Sequence, residues 1–95
     1  MAWKLSNAAQ FDFDWIAAEG ARQFGFEQSE KYERELVDAL DLLADMPHLG
    51  VERSTGSEII RLLPCGAHNI LYLVEDEDVL ILRVLHGLQN WVDVL

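Results

Sequence analysis

The stretch from His68 to His86, HNILYLVEDEDVLILRVLH, constrains the fold more than any other part of the chain. Ile70 to Val74 and Val79 to Leu85 are runs of β-branched, aromatic and leucine side chains on either side of the acidic link Glu75-Asp76-Glu77-Asp78, the pattern of an antiparallel hairpin. Both arms are apolar at nearly every position, which predicts that helices of the same chain cover one face and leaves the other for a partner. Arg83 breaks the pattern. A guanidinium inside VLILRVLH must meet a buried carboxylate or face a functional surface, because burying an unpaired charge is too costly.

The rest of the chain supplies the covering layer. Ala2 to Leu5 alternates and predicts an opening strand with Trp3 and Leu5 on one face. Ser6-Asn7 is a helix-start signal, with Asn7 and Gln10 near capping-box spacing. In the helix that follows, Ala8, Phe11, Trp15 and Ala18 form one stripe, while Phe13, Ile16 and Ala17 add a second that is more than one sheet requires. Either the helix is buried around most of its circumference, or the surplus face receives a partner. Gly20 to Gly25 weaken the helix and offer a stop. A second helix then carries Ser29, Tyr32, Leu36, Ala39, Leu40 and Leu43 inward, with acids outside, and ends at Met46-Pro47. A short connection makes the two helices an antiparallel hairpin. Val51 to Glu58 is expected to be a loop, and Ile59 to Leu63 a strand turning through Pro64 to Ala67 into the long hairpin. The order β-α-α-β-β-β predicts an α+β fold, an antiparallel sheet with a two-helix hairpin on one face.

Ninety-five residues at 51% hydrophobic content make one domain spanning 1–95. Absence of a signal-like or membrane-length apolar run, together with a lone Cys65, predicts a soluble cytoplasmic protein without disulfides or a cysteine zinc site. With 17 Asp+Glu against 7 Lys+Arg, the formal charge of −10 repels phosphate backbones and anionic membranes. A basic or apolar protein segment is the better-matched partner.

WKLSNAAQFDFDWI, FEQSEKYERELVDALDLLADMPHLG and IIRLLPCGAHNILYLVEDEDVLILRVLH, in this order, carry a resemblance to the RelE/ParE superfamily of bacterial toxins, and most closely to its ParE branch. The resemblance covers nearly the whole chain. It implies a toxin of a type II toxin–antitoxin module that inhibits DNA gyrase by protein binding at the A subunit. A cognate ParD-like antitoxin, expected to be basic and amphipathic, would neutralise it in a hetero-oligomer. The RelE branch implies instead a ribosome-dependent mRNA interferase, and a third alternative is a non-toxic antitoxin-binding module.

The residues separate these readings. Phosphodiester cleavage needs groups that hold phosphate and move protons, and the candidates are Arg61, Arg83 and His86. No tyrosine follows Tyr72, and no lysine or arginine follows Arg83. A non-enzymatic protein without cofactor or metal is therefore expected, with Arg61, Arg83 and His86 as gyrase-binding or functional candidates. Phe13, Ile16, Ala17 and Trp91 are the antitoxin-binding candidates. ParE-like chains commonly carry further arginines after the Leu-His pair, whereas this one ends HGLQNWVDVL, which makes Leu88, Trp91, Val92, Val94 and Leu95 a hydrophobic anchor for the chain's own sheet or for antitoxin.

Overall fold

The computed structural model describes residues 1–54, 56 and 58–94. Eight elements follow in order: β1 (Ala2–Leu5), α1 (Asn7–Phe24), α2 (Phe26–Asp45), β2 (Val51–Ser54), β3 (Ile59–Cys65), β4 (His68–Val74), β5 (Asp78–His86) and α3 (Trp91–Val94). The strands form one sheet in the order β1-β5-β4-β3-β2, with the α1–α2 hairpin on one face. The α+β layout is the expected one, with two differences.

β1 runs parallel to β5, so the sheet is mixed rather than wholly antiparallel. Apolar alternation marks a strand but says nothing of its neighbour's direction. Ser6 fixes the arrangement: its N–H donates to the Ile81 carbonyl at 2.9 Å and its hydroxyl to the Leu82 carbonyl at 2.8 Å. The same oxygen accepts from Ala9 N–H at 3.0 Å, so Ser6, not Asn7, caps α1. Secondly, Val51 to Ser54, expected as loop, is an antiparallel edge strand on β3. An edge with four exposed positions needs no apolar alternation, and Arg61 holds it by donating to the Gly50 carbonyl at 2.8 Å and to Glu52 at 2.8 Å.

Gly20 does not stop α1. The helix continues to Phe24 because Gly20 is the close approach to α2: a Cβ there would lie 2.8 Å from the Ser29 hydroxyl, which donates to the Ala17 carbonyl. The break comes at Gly25, whose φ of 88° ends α1 and opens α2. The inward stripe of α2 is the predicted one, with Ser29, Leu36, Leu40 and Leu43 buried. The three leucines meet Ile70, Tyr72, Val79, Ile81 and Val84 on the sheet, each fully buried leucine or isoleucine contributing roughly 1.5–3 kcal/mol. Tyr72 also clasps the α2–β2 connection, donating to the Pro47 carbonyl and accepting from Gly50 N–H, both at 2.8 Å. The opposite sheet face holds a second cluster, Ile60, Leu71 and Leu85, with Trp91 packed on it. In the expected apolar tail, the side chain of Val94 and the whole of Leu95 lie outside the described residues.

Candidate functional site

β1 pairs with β5 only from Asp78 to Ile81, so beyond Ile81 the edge of β5 that faces away from β4 has no strand beside it, and α1 crosses this open edge. Asp12 supplies what a strand would have. It accepts the Val84 N–H at 3.0 Å and grips Arg83 through both oxygens, from Nε at 2.8 Å and Nη2 at 2.9 Å. The carboxylate holds the Arg83 guanidinium above its ordinary proton affinity, against the opposing effect of burial. The apparent anomaly in β5 is thus one half of a forked ion pair spanning the chain.

Beside this pair, a groove of about 780 Å³ opens between α1, the start of α2 and the end of β5. Phe11, Trp15 and Phe24 stand on its α1 side, 67%, 61% and 69% exposed, fractions that make them surface rather than core. Its floor carries Ile16, Tyr32, His68, Arg83 and His86. Tyr32 oxygen lies 2.7 Å from His68 Nδ1, and the His68 and His86 rings meet edge to face with centroids 5.7 Å apart. Burial holds the Tyr32 hydroxyl above its ordinary pKa. Burial first, and His86 next, push His68 below its own. Both effects favour neutral groups.

The predicted residues divide among three places. Ile16, Arg83 and His86 come together at the groove. Arg61 lies across the sheet, occupied by Glu52 and the carbonyls of His48 and Gly50. Trp91 packs on the far sheet face. The two strips of α1 are exchanged relative to expectation: Ile16 is buried in the core and Phe13 packs against it, while Phe11 and Trp15 face out. Ala17 is half-buried under α2 through its carbonyl. Aromatic weight on the outer strip outvotes the small Ala9 and the charged Asp12, which are the inward positions. Periodicity therefore overlooks Phe11, Trp15, Phe24, Asp12 and Tyr32 as site residues. Asp12 had a signal nonetheless, being the acid between Ala9 and Ile16 that an interior Arg83 requires. Cys65 is half-buried at the end of β3, and burial raises its thiol pKa. Among the described residues, no three His, Cys, Asp or Glu side chains gather as a metal ion would need.

A two-helix hairpin packed on a mixed sheet, with an open aromatic groove beside an arginine already paired to Asp12, defines a small α+β domain. The comparisons make this class particular. The family model for the ParE toxin of the type II toxin–antitoxin system parDE matches residues 3–91, and the chain belongs to that family. Toxin ParE1 of Caulobacter vibrioides is 32% identical over 88 residues, covering 93% of this chain and 91% of that one. Toxin ParE1 of Mycobacterium tuberculosis is 35% identical over 83 residues, covering 86% and 85%. A solved structure titled "Chromosomal ParDE TA system from P. aeruginosa" shares the fold, with a TM-score of 0.77 at 22% identity, over 90% of this chain and 95% of that one.

Proposed function

We propose that this ParE-type toxin acts without catalysis, by binding the A subunit of DNA gyrase, and that a cognate antitoxin silences it by occupying the groove. The observation that carries the reading is the exposed aromatic wall of Phe11, Trp15 and Phe24 above Ile16. An amphipathic helix suits such a groove, and an extended segment suits the exposed edge strand β2. The antitoxin carries lysines and arginines beside its apolar anchors, to match a chain of net charge −10. Ile16 supports its helix from below, Phe13 and Ala17 brace that support from the core side, and Trp91 steadies the opposite face of the sheet. Gyrase contact falls to the surface around His86, since Arg61 and Arg83 are both committed to carboxylates.

The test has two stages. Expression of the chain alone should arrest growth, and co-expression with the adjacent short gene should restore it. Purified protein should then inhibit supercoiling and accumulate cleaved DNA complexes with gyrase, leaving ribosome-bound transcripts intact. Transcript cleavage that disappears on replacing Arg61 or Arg83 would establish the mRNA interferase instead, and harmless expression would establish a binding module without toxicity.

A further inference from the structure

His68, and the contact its ring makes with His86, have no part in the reading above. His68 on β4 and His86 on β5 are cross-strand partners, and each uses Nδ1 in a hydrogen bond. Tyr32 oxygen lies 2.7 Å from His68 Nδ1, and Leu88 N–H donates to His86 Nδ1 at 3.2 Å. Ala67 N–H donates into the Tyr32 oxygen at 3.0 Å, leaving the phenolic proton to His68 or to its other acceptor, the Cys65 carbonyl at 3.3 Å. This network suits two neutral rings that carry their protons on Nε2. A further proton must go to an Nδ1, where it displaces a bond. At His68 the hydroxyl has to swing toward Cys65. At His86 the Leu88 N–H loses its acceptor, and with it goes a tether of the chain leading to Trp91.

The surroundings give little help to a charged ring. Asp12 and Glu19 face the pair from α1, Tyr32 from α2, Cys65 from the end of β3, and Arg83 from β5 itself. Glu35 acts on Tyr32 and Cys65 from further along α2. Asp12 favours a protonated His68, but both its oxygens already serve Arg83 and Val84. Glu19 is turned to Arg22 and Gln23.

We propose that the His68–His86 pair makes occupancy of the groove proton-linked: the docked basic, amphipathic segment binds over the neutral pair and is released as the pair takes up a proton. The proposal rests on the groove being the antitoxin's site. A docked helix removes water from the rings, and its lysines and arginines add like charge, so protonation is harder in the complex than in the free toxin. By linkage, affinity is full while His68 is neutral in the free toxin and falls as pH drops far enough to protonate it.

Calorimetry of the full chain with the full-length antitoxin from the adjoining gene tests this, at pH 7.5 and pH 5.8 in two buffers of different ionisation heat. Kd should rise roughly three- to tenfold at the lower pH, with a fraction of a proton released on binding. His86→Gln, at an exposed position, should flatten this dependence while keeping the native melting temperature, and His68→Gln should do the same wherever it folds. Binding without proton release, or an equal pH slope in the folded variants, overturns the proposal alone. No binding at either pH overturns the antitoxin reading of the groove, and the proposal with it.

Discussion

Asp12 decides more of this molecule than any other single residue. It completes the open edge of β5 at Val84 and neutralises Arg83, so removing its charge leaves a partly buried guanidinium without its carboxylate. Asp12→Ala should cost about 3 kcal/mol in urea denaturation, whereas Asp12→Leu combined with Arg83→Met should cost distinctly less than the two single changes summed. Strict additivity in that cycle would show that the pair is not coupled. Tyr72 offers a second residue-scale test. Its hydroxyl bridges Pro47 and Gly50, so Tyr72→Phe should lose about 1–3 kcal/mol by orphaning a carbonyl and an N–H. Gly50→Ala should be at least as damaging, because the added Cβ would sit 2.6 Å from that hydroxyl, and the two variants should melt well below the native protein. The interior Arg83 and the MPHLG turn are both visible in the sequence. The Asp12 and Tyr72 partnerships are not, since they join residues 71 and 25 positions apart.

At the scale of elements, α1 is a helix with two competing apolar faces. Ile16→Ala should destabilise the fold by about 2 kcal/mol or more, since the side chain lies in the core. Phe11→Ser and Trp15→Ser should leave stability within about 0.5 kcal/mol. The same two changes should weaken antitoxin binding tenfold or more if the groove is where it docks, a contrast that denaturation and titration on one set of variants would expose. Normal binding by both serine variants would place the antitoxin elsewhere. Only the inner face of α2, the alternation within β1 and the near-continuous apolar runs of β3 and the long hairpin follow directly from sequence, because there the apolar pattern has one solution. In α1 the exposed aromatics mimic a core stripe. In β2 the edge position removes the pattern altogether, and the strand is held by Arg61 through Glu52 and the Gly50 carbonyl, contacts made only once β3 lies beside it.

For the molecule as a whole, charge and apolar surface act at different ranges. A net charge of −10 on 95 residues sets up a field that extends past the surface at low salt and is screened within about 8 Å at physiological ionic strength. A basic partner should therefore be drawn in by that field and then held by aromatic contact in the groove, where screening matters little. Raising salt from about 50 mM to 500 mM should lower the association rate roughly tenfold, yet change the dissociation rate by less than about threefold. Stopped-flow measurements with the cognate antitoxin read both rates separately. Should dissociation carry the salt dependence instead, the ion pairs would lie inside the interface, and the aromatic wall of Phe11, Trp15 and Phe24 could not be what holds the complex together.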